Sequence, residues 1–393
     1  MPDFFVSCPL GFEQQLAEEM ENFWHFMLDL DGLPTRETFP EIEIVKGGLE
    51  FSAPLHLGFQ VNFFTHIGLR VLLRIQKFKA RYFDQFEKEI KSLPLDVYLT
   101  AEKTIDFEIE STKSRLFHEK NLKESFAKAL NKKWKVVQAQ KTSEVTKERE
   151  HSIRLYVRIF NDEVVISLDT TGAHLHFRGY RKQQGAAPLR ENLAALMLLL
   201  AGLGEKNNLT VIDPFCGAGT LLFESALLGY PNLARDYAFF QFKNCPALFR
   251  SPTWSKNYRW LVPKKLRLIG IEKDPETYAK AQANLKIFQE AHFKINVELQ
   301  CADSSKVGLG QFSGGGTDTE VWLVANPPYG ERLDNQDFQK VLQHFEELSS
   351  LQTLVILQPQ AAKLALKNFK VSQQIPFTNQ GLKLNLSIYT RTV

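Results

Sequence analysis

Four places in the chain combine residue types that can bind and orient a small polar molecule, and each follows a short apolar run. After "LTVI" come Asp213, Phe215, Gly217, Gly219 and Thr220, in "DPFCGAGT". Glycines at a strand-to-helix turn let backbone amides approach a ligand, with the helix N-terminus aimed at it. "LIGI" leads to Glu272, whose carboxylate has the lone pairs to accept from a pair of vicinal hydroxyls. "VELQCA" leads to Asp303, an acceptor suited to an exocyclic amine, and "VWLVA" leads to Asn326-Pro327-Pro328-Tyr329. The two prolines fix the backbone and donate no hydrogen bond, so the carbonyls there are rigid acceptors beside an amide and an aromatic ring. Such a clamp suits a flat molecule carrying an NH2 group. Each stretch also has an ordinary reading as a turn or cap, and Asp274, directly before Pro275, reads as a helix cap rather than a ligand contact.

The elements that must position these residues follow from periodicity. From residue 189 onward, apolar strands alternate with helices, and the last two strands, "FKVSQQIPF" and "LKLNLSIYT", are close enough in sequence to pair antiparallel. This predicts a parallel sheet that ends in an antiparallel hairpin. Ligands of such sheets sit beyond the carboxyl ends of the strands, where all four constellations fall. The glycine loop lacks the third glycine of a dinucleotide fingerprint and the Gly-Lys-Ser/Thr of a P-loop. Glu272 also lies far beyond the ~20 residues at which an acid follows the glycines in a compact dinucleotide unit. An aromatic, basic insertion at about 229–262 fills the interval, either covering a substrate or packing with no role of its own.

Residues 1–65 read as a small α/β unit, and 66–171 as a second one, with period-two strands and a basic helical run. In that run Lys113, Lys120, Lys123, Lys132 and Lys133 are accompanied by few acids, and Phe117, His118 and Trp134 are available to stack on bases. The reading is a phosphate-contacting patch, with a solvated helix face as the alternative. Residues 172–393 make up a linker and the parallel-sheet domain. Bulk composition is that of an ordinary globular chain of 393 residues, 44% hydrophobic and 24% charged, and its net charge of +3 selects no partner. Four scattered cysteines without a C-x-x-C pair point away from disulfides and zinc, and Cys216 and Cys301 read as small packing residues, not nucleophiles. With no long apolar span, a cytoplasmic protein without metal or membrane partner, and monomeric, is expected.

The four strand-end constellations resemble those of class I S-adenosylmethionine-dependent methyltransferases that act on an exocyclic amine. "HFRGYR", "GAAPLRENLA", "DPFCGAGTLLFESAL" and "NPPYGERL", in this order behind a basic α/β module, narrow the resemblance to the THUMP-domain guanine methyltransferases acting on large-subunit ribosomal RNA. The resemblance covers nearly the whole chain, by motif in the C-terminal part and by layout in the N-terminal part. It implies a Rossmann-like methyltransferase domain at 172–393, preceded by a ferredoxin-like domain at 1–65 and a THUMP RNA-binding domain at 66–171. It also implies that Asp213, Phe215, Gly217, Gly219, Thr220, Glu272, Asp303 and Asn326 line an S-adenosylmethionine pocket, and that Asn326, Pro327, Pro328 and Tyr329 hold the target base. Arg178, Tyr180, Arg181 and Arg190 fall on the family's linker, placing Arg178 and Arg181 near RNA or the cofactor, with packing between domains as the alternative. The implied reaction is methylation of the 2-amino group of a guanine in ribosomal RNA. Methylation of transfer RNA, or of adenine N6, is a second reading, and an RNA-binding assembly factor without catalysis a third, against which the intact glycines, Glu272, Asp303 and Asn326 stand.

Overall fold

The computed structural model describes residues 1–30, 38–138, 152–183, 189–250, 263, 265–312, 319–327, 335–379 and 381–392. The chain forms two units, the first made of residues 1–175 and 236–257 and the second of 176–235 and 258–393.

The first unit is built on one eight-stranded sheet. Its elements are β1 (Asp3–Ser7), α1 (Glu13–Leu30), β2 (Ile42–Val45), β3 (Gly48–Ser52), α2 (Leu55–Phe64), β4 (Arg70–Lys79), α3 (Phe83–Lys91), α4 (Leu95–Tyr98), β5 (Thr104–Thr112), α5 (Glu119–Leu130), β6 (Lys135–Gln138), β7 (Ile153–Phe160) and β8 (Glu163–Asp169). The strand order is β2-β3-β1-β4-β8-β7-β5-β6. The expected division at 65/66 therefore falls within a single sheet, because β4 pairs antiparallel with β1 on one side and with β8 on the other. Asn161 and Asp162 make the tight turn from β7 to β8 with φ of 52° and 64°, a backbone that these two residue types tolerate. Along β7 buried residues alternate with less buried ones, as a sheet covered on one face requires.

Helix α2 explains why residues 236–257 belong to this unit. Every residue from Leu57 to Phe64 is buried, and a helix that is mostly apolar on every face must be covered all round. Its sheet side lies so close that a Cβ on Gly58 would stand 2.1 Å from the ring of Phe4. Its other side is covered by the excursion from the second unit's sequence. The ring of Phe59 stacks on Phe239 at 4.9 Å and 7°, and that of Phe63 meets Tyr237 edge-on at 5.0 Å and Phe249 at 5.6 Å.

The second unit comprises α6 (Glu191–Leu200), β9 (Asn208–Asp213), α7 (Thr220–Leu227), β10 (Lys265–Glu272), α8 (Pro275–Ala291), β11 (Val297–Cys301), β12 (Glu320–Ala325), α9 (Asn335–Glu346), β13 (Leu351–Pro359), β14 (Phe369–Asn379) and β15 (Leu382–Arg391). The sheet order is β11-β10-β9-β12-β13-β15-β14, parallel from β11 to β13, with β15 antiparallel to both β13 and β14. This is the parallel sheet closed by a hairpin that the alternation predicts. Strand β9 lies between β10 and β12, so the direction of winding reverses there and opens a crevice at the carboxyl ends. Below it, Ile212, Ile271, Leu323 and Ile356 from the strands pack with Phe338, Val341 and Phe345 of α9.

The covering of α2 sets a test. Phe239→Ala should destabilise the first unit by about 3–5 kcal/mol, the cost of a large buried cavity, and should speed amide exchange in α2. Exchange in α2 that matches the parent's would show that the excursion does not support it.

Candidate active site

Strand β9 ends on Asp213, which is almost wholly buried at 2% exposure, and its carboxylate accepts from the amide of Phe215 at 3.0 Å. The loop that follows is pinned at several points. The amide of Cys216 donates to the carbonyl of Ile271 on β10 at 3.0 Å, and that of Gly219 to the carbonyl of Cys216 at 2.8 Å. Gly217 and Gly219 have φ of 53° and 92°, in the region that favours glycine, and a Cβ on Gly219 would also stand 2.5 Å from the ring of Phe223. Thr220 then opens α7 and is buried. Phe215 packs edge-on against Phe338 with ring centres 5.6 Å apart.

Glu272 ties this loop to the next strand end. Its Oε2 accepts from the amide of Gly217 at 2.9 Å and its Oε1 from the amide of Asp274 at 2.9 Å. Asp274 itself caps α8, accepting from the amide of Thr277 at 2.8 Å and its hydroxyl at 2.6 Å, with Pro275 in the first turn, as its place before proline suggests. At the end of β11, Asp303 accepts from the amide and hydroxyl of Ser305 and pairs with Lys306 at 3.4 Å. Its neighbour Ser304 donates to the carbonyl of Pro214 at 2.5 Å, fastening the β11 turn to the glycine loop. After β12, Asn326 is half-buried and Pro327 buried, while Pro328 and Tyr329 lie outside the described residues. The carboxyl edge thus brings Asp213, Phe215, Gly217, Gly219, Thr220, Glu272, Asp303 and Asn326 to four successive strand ends of one sheet.

The electrostatics of this edge are those of a cation receptor. Burial pushes the Asp213 carboxyl up to about 8, the Phe215 amide opposing and the charge of Glu272 adding to the rise. Burial and the same two acids raise the Cys216 thiol, which excludes it as a thiolate nucleophile. Asp303 is held below the ordinary carboxylate range, chiefly by the Ser305 hydroxyl. Asp213 and Glu272 accept only from backbone amides among the described residues, so a bound positive charge would favour the ionised form of Asp213. Glu272 keeps unused lone pairs for a diol, and among the described residues, the glycine's two chain neighbours aside, nothing lies nearer than 3.9 Å to where a Cβ of Gly217 would stand. A cationic nucleoside with an open ribose fits this donor and acceptor set.

The linker is where the structure departs from expectation. Arg178, expected near RNA or cofactor, is 1% exposed, with its Nε 3.4 Å from Glu224. Tyr180 is buried and donates to the same Glu224 at 2.8 Å. Arg181 donates to Glu191 at 3.0 Å and to the carbonyl of Leu189 at 2.6 Å, and Arg190 is half-buried at the cap of α6. Two acids in otherwise apolar helices need buried donors, and the linker supplies them. Arg178 is thus an internal ion-pair partner, not a phosphate contact. The acids of "ENLAALMLLL" and "TLLFESAL" were the available signal. Sequence reasoning also missed Asn284 on α8. Its side chain is fully buried and makes four hydrogen bonds, accepting from the amides of Lys182 and Gln183 and donating to the carbonyls of Gln183 and Ala218. It holds the linker and the glycine loop at once.

In the first unit the basic run divides. Lys120 and Lys132 are exposed and meet no acid among the described residues, Lys123 pairs with Glu119 at 3.5 Å, Lys133 pairs with Asp96, and Lys113 lies 5.8 Å from the ring of Phe160. Phe117 is 60% exposed beside His118. Trp134 is not available for stacking: at 4% exposure it belongs to the core with Phe126 and Leu130, since a large ring is stabilised more by burial than by display. Among the described residues no helix is long and apolar enough to cross a membrane, and no cluster of metal-ligating side chains occurs.

Comparison with known proteins agrees with this geometry. Residues 178–364 match the RMKL-like methyltransferase domain family. The ribosomal RNA large subunit methyltransferase K/L of Syntrophotalea carbinolica is 30% identical over 348 residues, which cover 85% of this chain and 45% of that protein. The chain spans about half the length of the curated relatives it matches. A solved structure titled a predicted N6-adenine-specific DNA methylase, from Listeria monocytogenes, superposes with a TM-score of 0.71 at 21% identity, over 98% of this chain and 95% of that one. A solved structure titled SMU.472, a putative methyltransferase complexed with SAH, gives 0.73 at 19% identity over 100% and 98%. These structural likenesses establish a class I methyltransferase-like fold.

The raised Asp213 carboxyl has a measurable sign. Its ordinary value is 3.8 and its folded value about 8, so between these limits the folded chain holds a proton that the unfolded chain does not. The stability contributed is complete below the ordinary value and is lost as pH rises through about 8. Asp213→Asn should therefore flatten the fall in melting temperature between pH 5 and pH 9. Parallel pH profiles for parent and variant would refute the shift.

Proposed function

We propose that this chain, whose residues 178–364 form an RMKL-like methyltransferase domain with S-adenosylmethionine as its cofactor, methylates the exocyclic 2-amino group of a guanine in 23S ribosomal RNA. One observation carries the reading. Four adjacent strand ends at the reversal of sheet order present Asp303, Glu272, the glycine loop and Asn326-Pro327, in the sheet order β11-β10-β9-β12, an order that suits a nucleoside cofactor followed by an amine-bearing base.

S-adenosylmethionine supplies a methyl group on a cationic sulfur. In this proposal Asp213 and the glycine loop take its amino-acid end, Glu272 accepts from the ribose hydroxyls, and Asp303 accepts from the adenine amine. Asn326 and a prolyl carbonyl of Pro327-Pro328 accept from the hydrogens of the target amine, turning its lone pair toward the methyl group, and the role assigned to Tyr329 is to stack on the base. Positioning of this kind supplies most of the rate enhancement in a displacement that needs no covalent enzyme intermediate. The target in RNA is supported by the names of the relatives and by the exposed Lys113, Lys120, Lys132 and Lys133 and the half-buried Lys123 of the first unit. We assign the β-α-β-β-α-β run from β1 to β4, with its order β2-β3-β1-β4, to a ferredoxin-like module, and β5 to β8 to a THUMP module.

Asn326→Ala should lower turnover about a hundredfold or more while cofactor affinity, read by calorimetry, stays near the parent's. Lost cofactor affinity with retained turnover would reverse the assignment. Glu272→Gln should weaken cofactor binding by roughly 1.5–3 kcal/mol. Asp274→Ala should instead cost about 1 kcal/mol of stability as a lost helix cap, at unchanged affinity. An Asp274 variant that binds cofactor more weakly than the Glu272 variant would show that the wrong acid has been chosen. Nucleoside mass spectrometry of ribosomal and transfer RNA from a deletion strain should show loss of N2-methylguanosine from 23S RNA; loss of N6-methyladenosine, or a change confined to transfer RNA, would redirect the substrate.

A further inference from the structure

Residues 236–250 bring cations as well as aromatic rings to the first unit. Lys243 and Arg250 are both exposed. The backbone amide of Lys243 donates to the carbonyl of Tyr98 at 2.8 Å, and its ammonium meets the backbone carbonyl of Asp96. Lys133, in the turn that follows α5, meets the carboxylate of the same Asp96. Arg250 donates to the carbonyls of Phe240 and Phe242 at 2.8 and 3.4 Å, and Lys103 to the side chain of Gln241 at 3.1 Å. Within residues 96–103 the acids are Asp96 and Glu102, the latter hydrogen-bonded by the Thr100 hydroxyl at 2.5 Å, and the excursion itself begins with the exposed Asp236. Among the described residues neither Lys243, Arg250 nor Lys132 pairs with a carboxylate. A carbonyl partner orients a cation without neutralising it, so these side chains keep full charge on a surface held by two parts of the chain distant in sequence.

We infer that the excursion completes a phosphate-contacting surface of the first unit, in which Lys243 and Arg250 stand with Lys132 and Lys133, and that its partner is the phosphodiester backbone of an RNA. The inference rests on the RNA reading above and adds to it a contribution from residues outside the basic run around α5. Phosphate oxygens replace weak carbonyl partners with charge-assisted ones, and each contact releases a counterion, so the surface is read out by its salt dependence.

The test is the double charge reversal K243E/R250E in the full chain, with fluorescence anisotropy of a labelled 30-nucleotide hairpin RNA measured from 50 to 300 mM salt. Two lost phosphate contacts should flatten the slope of log affinity against log salt by about 1.5, and weaken binding at least tenfold at the lowest salt. Calorimetric affinity for S-adenosylmethionine should be unchanged. The neutral pair K243Q/R250Q, which keeps hydrogen-bond donors, serves if the reversal disturbs folding, and should show the same flattening. A parent that binds RNA with a slope neither pair alters overturns this inference and leaves the methyltransferase reading standing. A parent that binds no RNA overturns both. Binding of a labelled polyglutamate as tight as that of the RNA, lost in the same variants, would assign the surface to an acidic protein partner and refute the RNA assignment.

Discussion

The carboxylate of Glu272 is the joint on which the second unit's crevice depends. One oxygen takes the amide of Gly217 and the other the amide of Asp274, so a single side chain at the tip of β10 fixes the glycine loop behind it and the start of α8 ahead of it. Amides at strand-to-helix turns have no intrahelical partner and must find an acceptor when partly buried. With Glu272 supplying it, the loop can stay open toward solvent and still be rigid. The arrangement has an electrostatic cost, because Glu272 stands near the buried Asp213 and raises its carboxyl further. Asp303 has Lys306 beside it, but Asp213 and Glu272 have no cationic partner among the described residues, and a positively charged cofactor would supply one.

Around this joint the linker and two helices act as a frame. Asn284 holds the loop through Ala218 and the linker through Lys182 and Gln183, while Arg178, Tyr180 and Arg181 bind the acids of α6 and α7. None of these groups need touch substrate for the loop to depend on them. Buried charges removed singly leave an unpaired partner, so the frame is expected to tolerate paired replacement better than single replacement.

Much of this was legible in the chain itself, and the limits have physical causes. The alternation of strands and helices, the terminal hairpin, the cap at Asp274 and the four polar strand ends rest on local signals, namely periodicity, Asp-Pro and turn residues, and the structure places them accordingly. What local signals do not carry is the identity of a covering surface. Trp134 reads as a ring available to stack on bases until its burial is known, and Arg178 as lying near RNA or cofactor, or packing between domains, until Glu224 is found opposite it. The same holds for β4, whose two neighbours merge two apparent domains into one sheet, and for the insertion at about 229–262, whose aromatic part proved to belong to the other unit.

That last feature bears on the order in which the protein can be made. Helix α2 leaves the ribosome long before Phe239 and Phe249, which cover it, and at roughly 5–20 residues per second the interval is on the order of ten to thirty seconds. Once β8 has been made, the sheet of the first unit is complete in sequence, yet α2, buried along most of its length in the finished fold, still has one side bare. The nascent chain must therefore hold a sticky, half-clad intermediate through a large part of its own synthesis, during which chaperone capture competes with aggregation. The first unit closes only after the glycine loop has itself been translated, so its maturation waits on that of the catalytic half.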